Sequence, residues 1–544
     1  MNKLPHLALS LAAILALSAC QRQSAPDASG AAASGASAPA SQSADAHASG
    51  IAWVKVQSEQ DVSKAFEDAK ARNVPVFLYW GAVWCPPCNQ VKATIFSRQD
   101  FVERTKGFVA VYLDGDAPGA QKLGERFKVR GYPTMILFKP DGQELSRLPG
   151  EVDGQKYIET LDAALQSGRP IQALLKAAQK GEALSDAEWR GLAFYSWEGD
   201  ENQLVPKAEL PKVLADLAAK VPSQPALQGS AARLRLKALY AAAQGAAGQG
   251  GTTEAQAAAR KADLEFVLGV LGDQQLAREN LDVVTNLAKD LTGYLTAPKS
   301  EGREQLAALW GSALDRLSVD RQISRNDQLS ALLSRVDLVK LDDPKAEASE
   351  ILRKTVSEQV ARIDRETTQA YERQALMTTA AHTLGEVGLR EDADKLLQAE
   401  LPKAVAPDYY MNALASSAKK RGDGAAAVAW NAKAYDTAKG PATKLQWGAT
   451  WISNLTDLTP KDTAAIDKAV ATYLDGLKGQ PEVFYERNTR SMAKTGAALA
   501  RWAKAEKQDA LLKQFRSRLQ GVCDTLPAGD AQRKTCEGVW AGKA

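Results

Sequence analysis

Histidine is almost absent from this chain: His6, His47 and His382 are the whole complement in 544 residues. That leaves little for a histidine-built metal site or a nucleophile–histidine pair. Cysteine is nearly as scarce, with Cys20, Cys85, Cys88, Cys523 and Cys536. Neither sign of charge predominates, since 68 Lys and Arg face 65 Asp and Glu. Composition therefore gives no electrostatic case for binding nucleic acid or an anionic surface. Aromatic residues are sparse and alanine is abundant, which favours helix over sheet for most of the length. The length is too great for one core and suggests about two to four domains.

What is present begins with a targeting segment. Asn2-Lys3 gives a short positive start, residues 7–17 an apolar stretch, and Leu17-Ser18-Ala19-Cys20 a small-residue cleavage site. The last four resemble the lipobox of bacterial lipoproteins. That resemblance implies a signal peptide over 1–19 and Cys20 as a lipidated N-terminus; an ordinary secretory signal with an incidental cysteine is the alternative. Gln21 after the cysteine then suggests sorting to the outer membrane. Residues 21–50 are almost entirely Ala, Ser, Gly, Pro and Gln, so 20–50 reads as a lipidated cysteine and flexible linker. A tether of about 30 residues spans on the order of 30 Å, and His47 within it is a solvated side chain.

The chemistry sits in Trp84-Cys85-Pro86-Pro87-Cys88, after the apolar run 74–80 and before a segment that reads as helix over 89–96. Two cysteines three apart at a strand-to-helix junction can close into a small disulfide and open again. The first, at a helix N-terminus, is favoured as thiolate. Half a zinc site has the same spacing, and Asn89 stands where haem attachment needs histidine. The surroundings supply context. Ser58 is a plausible N-cap for a helix to about Asn73, residues 53–56, 74–80 and 107–114 read as strands, and helices are expected near 119–127 and 153–166. Residues 135–138 and 144–148 flank Asp141-Gly142 as a hairpin. The order βαβαβαββα predicts an α/β unit over 51–168, a mixed sheet with helices on both faces.

This is the order of the thioredoxin fold, and two motifs carry the resemblance: Trp84-Cys85-Pro86-Pro87-Cys88 and Gly131-Tyr132-Pro133-Thr134. Residues 94–102 are similar to the C-terminal periplasmic domain of the membrane thiol reductase DsbD and its relatives. The resemblance implies a cis Tyr132–Pro133 bond lying against the cysteines, Cys85 as exposed nucleophile and Cys88 as the buried resolving thiol. It implies that Trp84, Tyr132 and Pro133 contact substrate, though plain packing is an equal reading for Trp84. The redox-active disulfide takes the place of a cofactor, and no metal is expected.

Two departures stand out. Where relatives carry a buried acid six residues before the first cysteine, this chain has Tyr79; where DsbD-like domains carry another seven after it, this chain has Lys92. Lys92 reads as a solvated helix lysine. Pro86 and Pro87 form the active-site turn, and lacking N–H groups they offer the thiolate fewer hydrogen bonds. A less stabilised thiolate gives a more reducing couple, nearer roughly −250 than −120 mV.

From 169 to 544 nothing reads as strand. Helical patterns run between short breaks, among them 244–253 and 296–302. Gly388 and Gly422 lie 34 residues apart, with Ala393 and Ala427 five after each and Leu396 and Trp430 eight after, a spacing that resembles tetratricopeptide hairpins. A degenerate α-solenoid and an irregular helical domain both fit, with further helix pairs at 441–478 and 480–519. Trp430, Trp447, Trp451 and Trp502 read as core, and His382 as a helix-surface residue. Cys523 and Cys536 read as a structural disulfide.

The expectation is a membrane-tethered, periplasm-facing thiol–disulfide oxidoreductase, a reductase of disulfides in envelope proteins, with a DsbD-like membrane reductase as electron donor. The alternative is an envelope scaffold whose helical domain binds partners and whose thioredoxin-like domain only docks.

Overall fold

Ser58 starts the first helix as its side chain predicts: its hydroxyl accepts from the Asp61 N–H, and the Asp61 carboxylate accepts from the Ser58 N–H, a reciprocal cap. Asn73 ends that helix in the left-handed region. The computed structural model describes residues 50–150, 152–200, 203–247 and 251–541. Cys20, the 1–19 segment and all of the 20–50 linker except Gly50 lie outside them.

The elements run β1 (Val54–Val56), α1 (Glu59–Arg72), β2 (Val76–Gly81), α2 (Pro86–Val91), α3 (Gln99–Thr105), β3 (Val109–Asp114), α4 (Ala120–Arg126), β4 (Thr134–Phe138), β5 (Glu144–Leu148) and α5 (Gly154–Ser167). A π-helical turn, Lys92–Phe96, prolongs α2. The sheet order is β1-β3-β2-β4-β5, with β2 parallel to β3 and antiparallel to β4. Alternation along β2 splits the core: Val76, Leu78 and Trp80 pack with α1 and α4, while Phe77 and Tyr79 face the layer of α2, α3 and α5. Register then positions the site. Gly81 pairs with Asp114 and Trp80 with Thr134, so the cysteine turn, the loop after β3 and the loop before β4 leave the sheet side by side.

Among the described residues no strand follows Leu148. The apolar cluster beneath the cysteines continues through Ile171, Leu175, Trp189 and Leu192 to Leu234, so the first helices after residue 168 pack directly on the sheet layer. Edge strand β5 is also tied to them: buried Arg147 donates to the Gly199 carbonyl, and its own carbonyl accepts from Ser196.

Further along, Gly388 and Gly422 both take positive φ, 89° and 80°. They follow the helices Ala370–Glu386 and Pro407–Lys420 and precede Arg390–Glu400 and Gly424–Thr437. The 34-residue spacing therefore corresponds to two successive helical hairpins, with Ala393 and Ala427 buried in both. The break expected at 296–302 falls at 296–300, because the next helix already begins at Glu301. The one expected at 244–253 is invaded by the helix Gln228–Ala246, and residues 248–250 lie outside the description. No helix of the described residues is long and apolar enough to cross a membrane.

Cys523 and Cys536 are bonded and fully buried, joining the helices Asp509–Cys523 and Ala531–Val539. Replacing both with alanine should cost about 3 kcal/mol through loop entropy returned to the unfolded chain. A urea midpoint that does not move would show that helix packing alone fixes this end.

Candidate active site

Cys85 and Cys88 are joined in a disulfide at the N-terminus of α2, their Cα atoms 5.2 Å apart. Pro86 and Pro87 occupy the first two helical positions. With those N–H groups gone, the backbone donor that reaches Cys85 Sγ is the N–H of Cys88, at 3.1 Å. The Tyr132–Pro133 bond is cis, as the resemblance implied. Tyr132 stacks flat on Trp80 at 5.5 Å and meets Trp84 edge-on at 5.8 Å. Burial pushes its hydroxyl up to about 12.

Two expectations change. Cys85 is 2% exposed, not open, although less enclosed than Cys88 at 0%. Lys92 is buried, not solvated, and its ammonium lies 5.3 Å from the ring of Tyr371 on the helical side. Both changes have one cause: the helical body packs against the cysteine turn. Trp447 is buried, as expected, and lies 6.0 Å from Trp84 while donating to Asp408 at 2.7 Å. Trp502 is buried as expected, with its N–H on the Pro460 carbonyl, whereas Trp430 and Trp451 are only half-buried, packed at the edges of apolar clusters rather than inside them. His382 is half-exposed, in a cavity of about 420 Å³ that Pro86 and Pro87 also line.

The residue that joins the two parts is Asp116, in the loop after β3, which sequence reading missed. One carboxylate oxygen accepts from Trp84 Nε1 at 2.7 Å and from Thr443 Oγ1 at 2.6 Å; the other accepts from the Thr443 N–H at 3.0 Å. Thr443 lies in the first turn of helix Pro441–Leu458, whose N-cap, Gly440, supplies no side-chain acceptor. Asp116 thus caps a helix of the other domain. Burial raises its carboxyl above the usual range, against the Thr443 hydrogen bonds and the attraction of Arg487. A Cβ on Gly440 would collide with Asp116, so the approach requires glycine there.

Around this cap Trp84 is half-buried. Tyr409 stacks on it at 5.9 Å, and the Arg487 guanidinium lies 4.5 Å from its ring. Gln121 on α4 bridges the rest, donating to Tyr132 Oη and accepting from the Arg487 N–H. Where relatives carry an acid, Tyr79 stacks with Tyr112 at 5.3 Å and edge-on with Phe96 at 4.9 Å. Its hydroxyl is buried with no hydrogen-bond partner among the described residues, and burial holds it protonated. A Cβ at Gly81 would strike that hydroxyl, so alanine there should destabilise β2 by about 2 kcal/mol through overpacking, seen as an earlier denaturation midpoint.

Fold and site together define a thioredoxin-type dithiol–disulfide centre, and the comparisons agree. The thioredoxin-like domain family matches residues 62–165. A thioredoxin of Mycobacterium bovis is 34% identical over 83 residues, 15% of this chain and 67% of that protein. The chain belongs to the thioredoxin family through this domain. It is also similar to the thiol:disulfide interchange protein DsbD of Pseudomonas fluorescens, 31% identical over 125 residues, 22% of this chain and 21% of that protein. DsbD of Klebsiella pneumoniae is 31% identical over 111 residues, 20% of this chain and 18% of that protein. The chain therefore spans about a fifth of the length of these DsbD relatives.

Proposed function

We propose that the protein is a lipid-anchored, periplasm-facing thiol–disulfide oxidoreductase, held at the outer membrane by Cys20, that reduces disulfides of envelope proteins. The observation that carries this reading is the bonded Cys85–Cys88 pair beside the cis Tyr132–Pro133 loop. In the reduced enzyme the Cys85 thiolate attacks a client disulfide, forming a mixed disulfide and releasing one client thiolate, which takes up a proton. The Cys88 thiolate then attacks Cys85 Sγ, releasing the second client thiol and re-forming the enzyme disulfide. Two electrons pass to the client, and a DsbD-like membrane dithiol returns them. A single backbone donor at Cys85 Sγ stabilises the thiolate little, which favours the disulfide form and supports the reducing direction.

The test is the equilibrium of Cys85–Cys88 against a dithiothreitol or glutathione series in the purified protein. A potential nearer about −250 mV than about −120 mV is expected. One near the oxidising end would make the protein a disulfide donor, and a pair that does not cycle would leave only the scaffold role.

A further inference from the structure

Beside Cys85 a cleft of about 490 Å³ opens between the two domains, and its charge is one-sided. Arg130 from the loop before the cis proline, and Arg487, Arg490 and Lys494 from helix Glu486–Glu506, line it, with no carboxylate among the lining residues. Two acids lie close by and both are already engaged: Asp116 with Trp84, Thr443 and the attraction of Arg487, and Glu486 with Arg490, by an ion pair of 2.5 Å, and with Arg130 at 3.8 Å. Arg487 carries a second signal: its Nη1 is buried with no hydrogen-bond acceptor among the described residues. Its guanidinium lies over the rings of Trp84 and Tyr132, at 4.5 and 4.8 Å, which fixes a cation in the cleft wall where a carboxylate can approach.

Spacing adds a shape. Positions 487, 490 and 494 share one helix face, and seven residues of helix extend about 10 Å. That matches about three residues of extended chain at about 3.3 Å each. A stripe of that length fits alongside an extended polypeptide, and its near end, Arg487, lies 4.5 Å from the ring of Trp84, the residue before Cys85.

We propose that this cleft is a specificity site for an acidic, extended polypeptide segment flanking the client disulfide. It rests on the oxidoreductase reading above. The carboxylates of the segment pair with Arg487, Arg490 and Lys494 while its disulfide meets Cys85. The electron transfer is the one already written, with the membrane dithiol as reductant.

The test uses the full-length protein and three disulfide peptides of equal length whose flanks are acidic, neutral or basic. The acidic peptide should be reduced with kcat/KM about tenfold above the neutral one, and the basic peptide should be slowest. The gap should close as ionic strength rises from about 20 to about 500 mM. Lys494→Glu and Arg490→Glu should each lower the acidic-to-neutral ratio, and together invert it; a ratio is insensitive to a loss of folded protein. Equal rates for the three peptides, or a ratio the substitutions leave alone, overturn the proposal. Oxidised glutathione used as readily as the acidic peptide, with no gain from a longer flank, would also overturn it in favour of a small anionic disulfide. Failure to reduce any peptide would instead sink the oxidoreductase reading. Binding then still decides the cleft: alanine-for-cysteine copies of the peptides, titrated against the oxidised protein by tryptophan fluorescence, should bind in the same acidic-first order, and no such order would overturn it.

Discussion

Asp116→Ala should make Cys85 far more reactive toward an alkylating reagent after mild reduction. Three hydrogen bonds to one carboxylate hold Trp84 and the start of helix Pro441–Leu458 together. Their loss leaves Trp84 Nε1 and the Thr443 N–H unpaired and the helix uncapped, while the buried charge also disappears. Balancing these, the closed arrangement should weaken by about 2 kcal/mol, and at 1.4 kcal/mol per decade the open fraction rises about 30-fold. Asparagine keeps one acceptor oxygen and should fall between. Gly440→Ala reaches the same contact from the other side, because its Cβ would displace Asp116. If both variants alkylate at the native rate, the helical body does not control access to the thiol.

The same geometry explains what was legible in the sequence. Ser58, Asp61 and Asn73 specify α1 through bonds made within four residues of each cap, and alternation along residues 76–80 assigns each side chain to a layer. Asp141-Gly142 closes the hairpin, with Gly142 at φ 87°. Cys85 and Cys88 carry their meaning in their spacing. Asp116, Tyr409 and Arg487 carry none. The Asp116–Thr443 contact joins residues 327 apart, and the Gln121–Arg487 contact residues 366 apart. No periodicity or cap encodes such a meeting. The misreadings of Cys85 exposure and Lys92 solvation follow, since both assumed that a thioredoxin domain presents this face to solvent.

Asp327→Asn should stabilise the protein at neutral pH, and the gain should vanish in acid. Asp327 lies in helix Arg325–Val339 and lines the second cavity beside Pro86 and Pro87. Burial raises its carboxyl from 3.8 to about 6, although the Ser324 hydroxyl hydrogen-bonds it at 2.7 Å. Between those two values the folded chain holds a proton that the unfolded chain has released. Stability therefore falls as pH rises through that window and stays reduced above about 6, by on the order of 3 kcal/mol. Asparagine keeps an oxygen for Ser324 and the capped N–H but carries no charge. At pH 7.5 it should recover roughly 2–3 kcal/mol, measured by urea unfolding, and at pH 4 almost nothing. A constant difference across pH would mean that the carboxylate is solvated through the cavity. The expected cost arises because the wall facing Pro86 and Pro87 is left as open space with a charge on it, where packed apolar side chains would have sealed the cysteine turn.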